Sequence, residues 1–172
     1  MKRMIRNTGY LLLLLALLPI VSGCNNEDDV IEIFTKNTWK LSRLTTKDSS
    51  ARFLSNLWNN EKDYNASMSA LNQENNFTIN FAGTELNGEI MGTALDGRGI
   101  KATFTGTWSV DGKNKKMAIS LKVNGSETDP LAKEFINGLQ KVYKYEGDSN
   151  SLTLYFDDGK RTKVIGFTAQ RK

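Results

Sequence analysis

Three groups of side chains in this 172-residue chain have types and spacings that chemistry could use: Cys24, the Asp157-Asp158 pair, and Gly97-Arg98-Gly99. A thiol is a nucleophile once ionised. Two carboxylates run acid–base chemistry when their surroundings push their pKa values apart. Glycines let a backbone approach a phosphate closely. What surrounds each group limits it. The chain has no histidine, which excludes a Ser-His-Asp triad, a Cys-His pair and a histidine-based metal site. One cysteine cannot form an internal disulfide. Neighbouring strand residues point to opposite faces, so Asp157 and Asp158, followed by Gly159, read as turn residues. No Asp-x-Asp-x-Asp-Gly calcium loop occurs. Gly97-Arg98-Gly99 lacks the further glycine and the lysine-serine of a phosphate loop, and reads as a hairpin turn. There is no Gly-x-Ser-x-Gly elbow either. The expectation is a protein that is not an enzyme, with no catalytic residue, metal or cofactor.

Cys24 is left, and its position explains it. Lys2, Arg3 and Arg6 precede an apolar stretch from Tyr10 to Val21, 12 residues long, shorter than the roughly 18–20 needed to cross a bilayer. A basic head, a short apolar run and small residues behind it read as a secretory signal. Val21-Ser22-Gly23 stands directly before Cys24 and resembles the end of a bacterial lipoprotein signal. That resemblance implies a diacylglycerol thioether on Cys24, cleavage before it, and acylation of the new terminus. Two or more acyl chains hold a protein stably at a membrane, at about 0.8 kcal/mol per buried CH₂. Glu27, Asp28 and Asp29 follow at once. An acidic cluster so near the lipid resembles the surface-export signal of Bacteroidetes lipoproteins, which implies the outer face of the outer membrane. It also serves as a solvated tether, as charge runs usually do.

The chain therefore divides into a signal peptide at 1–23, an acidic tether at 24–35, and a β domain at 36–172. Val30, Ile31, Ile33 and Phe34 give the tether apolar groups with which to dock. The leader holds three basic and no acidic residues, so the formal charge of +4 falls to +1 from Cys24 onward. No basic stripe points to nucleic acid; Lys113, Lys115 and Lys116 fall where the pattern reads as a turn, and read as solvated.

The periodicities that follow set the elements. Thr38–Thr46 reads as a strand with Trp39 and Leu41 on one face and Lys40, Ser42 and Leu44 on the other. Asp48-Ser49-Ser50 is a helix start signal, and Phe53, Leu54, Leu57, Trp58, Tyr64, Met68 and Leu71 follow at helical spacings. From Phe77 the period becomes two. Phe77, Ile79 and Phe81 alternate; Leu86, Gly88, Ile90 and Gly92 read as one strand; Ile100–Val110 and Met117–Val123 give two more. Asp96-Gly97, Asp111-Gly112 and Asn124-Gly125 suit tight hairpins. Thr128-Asp129-Pro130 opens a second helix with Leu131, Phe135, Ile136 and Leu139 on its stripe. Strands around Val142–Tyr145, Leu152–Phe156 and Val164–Phe167 close the chain. The predicted class is α+β: a mainly antiparallel, curled or barrel-like sheet of about eight strands with two helices.

This pattern resembles the META domain of heat-shock-inducible bacterial lipoproteins, through Trp39-Lys40-Leu41, Glu134-Phe135, Leu139, Val142 to Tyr145, Leu152-Thr153-Leu154 and Asp158-Gly159. It departs from that family in having Met91-Gly92-Thr93-Ala94 where a Cys-Asn pair is usual, and in its long insertion at 55–75. The opening Asn37-Thr38-Trp39-Lys40-Leu41 also resembles the first strand of lipocalin-like Bacteroidetes lipoproteins. Both resemblances imply a small lipid-anchored β domain, and neither carries a catalytic residue onto this chain. Trp58 and Tyr64, on the polar insertion, are the candidate ligand contacts, because exposed rings stack on sugars. The functional expectation is a surface-exposed, non-enzymatic binding or interaction domain at the outer membrane, with a glycan, lipid or envelope protein as partner. The alternative is an envelope structural or stress-response factor that binds no small ligand.

Overall fold

The computed structural model describes residues 28–171, apart from Gly88. Eight antiparallel strands follow one another around a ring: β1 Asn37–Thr46, β2 Thr78–Leu86, β3 Glu89–Arg98, β4 Thr103–Asp111, β5 Lys116–Asn124, β6 Val142–Gly147, β7 Ser151–Asp157 and β8 Thr162–Arg171. β8 returns to pair with β1, Asn37 opposite Arg171, and closes the ring. Three helices accompany it: α1 Asp28–Thr35, α2 Glu61–Leu71 and α3 Pro130–Leu139. The predicted class stands, with one helix more than expected.

Period-two alternation builds the wall. In β4 Phe104 and Trp108 point inward between exposed Thr103, Thr105, Thr107 and Ser109, and in β7 Leu152, Leu154 and Phe156 do the same. The two mouths are filled by helices. α3 sends Phe135 into one end, where its ring lies 5.9–6.1 Å from those of Phe77, Phe104 and Phe167. α1 sends Phe34 into the other, 5.0–5.1 Å from Phe81, Trp108 and Tyr145. Edge-on ring packing of this kind adds about 0.5–1.5 kcal/mol per pair beyond area burial. The interior is thus a packed aromatic core.

Several expectations need correction. The tether expected at 24–35 is helical from Asp28, and Val30 and Phe34 are core residues; their spacing of four puts both on one helix face. The first predicted helix starts at Glu61, with Asn60 as its cap accepting from the Asp63 amide at 2.9 Å, and not at Asp48. Phe53 instead bridges Leu44, and Leu54 accompanies it into the core. Leu86 and Glu89 face each other across a hairpin, so 86–92 is not one strand; Asn87 between them takes φ 54°. Asp96-Gly97 lies inside β3. There a Cβ on Gly97 would sit 2.3 Å from the Thr78 carbonyl oxygen and 2.5 Å from the Phe104 ring, so this glycine serves close packing, not a turn. Asn124-Gly125 leads into α3 and not into a hairpin. In β1 the register shifts between Leu41 and Arg43, which returns Leu44 to the core although simple alternation places it outside.

Candidate functional site

With the interior filled, the surfaces left to meet a partner are outside. Cross-strand pairing places one polar row across six strands: Gln170 on β8, Thr38 on β1, Asn80 on β2, Asp96 on β3, Thr105 on β4 and Lys122 on β5. A second row runs beside it, from Thr168 through Lys40, Thr78, Arg98 and Thr103 to Asn124. Residues two apart in a strand share a face, so the rows lie on one outer side of the sheet, interrupted at Thr78, which is buried and donates to the Asn75 carbonyl at 3.3 Å. A depression of about 470 Å³ opens on it, bounded by Thr38, Asn80, Asp96, Arg98, Thr105 and Gln170 among others.

The side chains here order one another. The Thr38 hydroxyl donates to Asn80 Oδ1 at 2.6 Å, and Asn80 Nδ2 donates to Asp96 Oδ2 at 3.0 Å. This fixes the Asn80 amide and leaves hydroxyl, carboxylate and guanidinium groups at neighbouring ladder positions. Arg98 donates from Nη2 to the Ile100 carbonyl at 3.0 Å, and its Nε is buried with no partner. Lys40 donates to the carbonyls of Gln73 at 2.5 Å and of Asn76, holding the end of the α2 loop against the rim. Chemically, the face offers donors and acceptors at strand spacing, and burial lowers the pKa of the Lys40 ammonium to about 8.

Glu127, which the sequence did not single out, locks the wall next to it. Its Oε1 accepts from three successive amides, Ile100 at 2.7 Å and Lys101 and Ala102 at 2.8 Å. The β3–β4 connection is an anion-holding concavity of backbone N–H groups, filled by the protein's own carboxylate. No short motif announces such a long-range pairing.

The residues singled out from the sequence are scattered. Cys24 and Glu27 lie outside the described residues, and Asp28 and Asp29 open α1. Trp58 is half-buried: its indole donates to Ser67 Oγ at 2.7 Å, and the rings of Phe53 and Tyr64 meet it edge-on at 6.0 and 5.0 Å. It is a packing residue of the insertion more than a free stacking platform, whereas Tyr64 keeps 42% of its surface exposed. Both sit apart from the polar rows. Asp157 accepts from the Thr162 hydroxyl at 2.8 Å. Asp158 accepts from the Lys160 and Arg161 amides, each at 2.9 Å, and pairs with Lys163 at 2.9 Å. The Lys163 hydrogen bond, followed by those two amides, holds its carboxyl far below the usual range. Asp157 ends β7 and Asp158 stands in the turn to β8, each engaged in local hydrogen bonds. Among the described residues no three acidic or thiol groups cluster as a metal site would require.

The decisive comparison is with protein families. The model of a domain of unknown function, DUF4847, matches residues 25–169. The chain belongs to the DUF4847 family. A crystal structure of a DUF4847 family protein from Bacteroides vulgatus ATCC 8482, at 1.00 Å resolution, is similar to this domain with a TM-score of 0.58 and 26% identity. The likeness covers 83% of this chain and 99% of that one. No curated protein matches it. The DUF4847 match reaches from α1 to Ala169 in β8, so α1, the α2 insertion and both polar rows apart from Gln170 lie within one family domain.

Proposed function

We propose that this DUF4847 protein is a lipid-anchored, surface-exposed interaction module of the bacterial outer membrane, without enzymatic activity, whose outer sheet face binds a polyhydroxylated ligand such as a glycan. The observation that carries the reading is the double polar row across β8 and β1–β5 with the Thr38–Asn80–Asp96 hydrogen-bond chain at its centre. Threonine, asparagine, aspartate and arginine at strand spacing complement hydroxyls with directional bonds, while among the described residues helix side chains pack into both mouths. Anchoring rests on Val21-Ser22-Gly23-Cys24 and export on Glu27, Asp28 and Asp29. The eight-stranded meander is the outline of lipocalin-type domains, which agrees with the resemblance of the Trp39 strand.

Binding of the detergent-solubilised lipoprotein to a glycan array tests this. Asn80→Ala and Asp96→Ala are expected to abolish the signal while the thermal midpoint barely moves, because both residues lie at the surface. Binding that survives both changes moves the site elsewhere. An array with no hit favours the second reading, an envelope factor without a small ligand, which the packed interior also suits. Protease added to whole cells is expected to remove the domain; protection would place it on the periplasmic side.

A further inference from the structure

If Cys24 is acylated, as proposed above, the fold fixes which end of the ring meets the lipid. Whatever path the chain takes, the four Cα–Cα steps from Cys24 to Asp28 span at most about 15 Å. Asp28 already belongs to α1, and α1 is not a free arm: Val30 and Phe34 are buried in one mouth of the ring. The first residue of α1 is therefore held within that reach of the lipid, which makes the mouth that α1 fills the nearer one.

The neighbour of α1 at this mouth is the distal half of the β2–β3 hairpin. Val30 shares a depression of about 390 Å³ with Glu85, Glu89, Ile90 and Trp108. Ile31 reaches Gly83, where a Cβ would stand 3.6 Å from its Cδ1. The hairpin projects two large apolar side chains into solvent, Leu86 at 58% and Met91 at 50% exposure. Each would be an ordinary surface residue alone. Two on one hairpin, beside the helix that leads from the anchor, are placed to enter a lipid headgroup layer. The β7–β8 turn, at the mouth filled by α3, carries Asp158, Gly159, Lys160 and Arg161 and exposes no large apolar side chain.

We infer that the β2–β3 hairpin, through Leu86 and Met91, rests in the headgroup region of the leaflet holding the Cys24 acyl chains, and that the α3 mouth points away from the membrane. The anchor keeps the hairpin at high local concentration near the lipid, so a weak contact suffices. The polar face then stands upright, open to ligands from the side.

Acylation supplies the test, because it consumes the chain's only cysteine and leaves any new one as the single free thiol. Leu86→Cys, Met91→Cys and Lys160→Cys, all at exposed positions, are labelled with an environment-sensitive fluorophore in the lipidated protein. The proteins are then reconstituted into phosphatidylethanolamine–phosphatidylglycerol vesicles carrying a lipid-bound nitroxide. Labels at 86 and 91 should be quenched several-fold more than the label at 160, with blue-shifted emission. Equal quenching at the three positions, or none in protein that floats with the vesicles, overturns the orientation while leaving anchoring intact. Protein that fails to float overturns both.

Discussion

Lys163 shows how one side chain can hold two elements. Its ammonium donates to Glu134 on α3 at 2.7 Å and to Asp158 in the β7–β8 turn at 2.9 Å, with only 13% of the side chain exposed. Burial lowers its pKa, but the two carboxylates outweigh burial and the net shift is upward. Asp158 is shifted downward, chiefly by the Lys163 bond. A carboxyl with a depressed folded pKa contributes stability above its unfolded value, ordinarily 3.8, and loses it as pH falls toward the folded one. Asp158→Asn should therefore flatten the loss of stability on acidification below about pH 4; an unchanged acid limb in urea titrations would exclude Asp158 as its source. Glu127 acts at the same scale. Glu127→Ala leaves three amides without their acceptor and should lower unfolding free energy by about 2–3 kcal/mol. Glu127→Gln keeps a carbonyl acceptor and should cost less. Equal costs for the two would mean that charge, and not the acceptor, is what the amides require.

Among the elements, α1 and the α2 insertion are the parts whose position depends on long-range contacts. Truncating Phe34 removes a ring from a cluster of three aromatic partners, and Phe34→Ala should cost about 3–5 kcal/mol, read as a lowered urea midpoint at constant slope. A cost below 1 kcal/mol would show that α1 is dispensable to the ring. The α2 insertion is tied by a chain of three groups. The Trp58 indole donates to Ser67 Oγ, and the Ser67 hydroxyl donates to Asp129 Oδ2 at 2.5 Å. Asp129 in turn caps α3 by accepting from the Ala132 amide at 2.9 Å. Ser67→Ala should release the insertion first, so that limited proteolysis cuts within residues 47–77 while the ring stays folded; cleavage spread over the whole chain would mean that the insertion has no independent opening. These elements also mark what was legible in the sequence. Strands with clean alternation, such as Met117–Val123 and Leu152–Phe156, are readable because one face is wet and the other dry along their core-facing length. The helix at Pro130 is readable because cap, proline and stripe coincide. By contrast, Leu44, Gly97 and Asp48 mislead: a bulge, a close backbone approach and a local turn each imitate a different local pattern. The polar face was invisible for a related reason. Its rows are made by register between strands, and register is not written in any one strand.

For the whole molecule, closure of the ring is uneven, and that decides where it opens. β4 and β5 pair along their full length, from Thr103 opposite Asn124 to Asp111 opposite Lys116. β5 and β6 share one paired position, Lys116 opposite Lys144, beside the bond from the Tyr145 amide to the Lys115 carbonyl at 3.0 Å. Two lysines face each other at this seam, and like charges directly opposite are unfavourable; Lys144 is turned to Glu146 at 2.7 Å. The chain between the two strands includes α3, whose Leu131, Phe135 and Leu139 are fully buried. Local opening follows the weakest cooperative boundary. Native-state hydrogen exchange should find β5 amides that do not bond β4, and the first residues of β6, exchanging at a lower opening free energy than the β8–β1 and β4–β5 amides. Lys116→Thr, which removes the opposed charge, should raise that local opening free energy by a few tenths of a kcal/mol and leave the other seams unchanged. If all the ladders instead exchange together at the global unfolding free energy, the seam is no weaker than the rest.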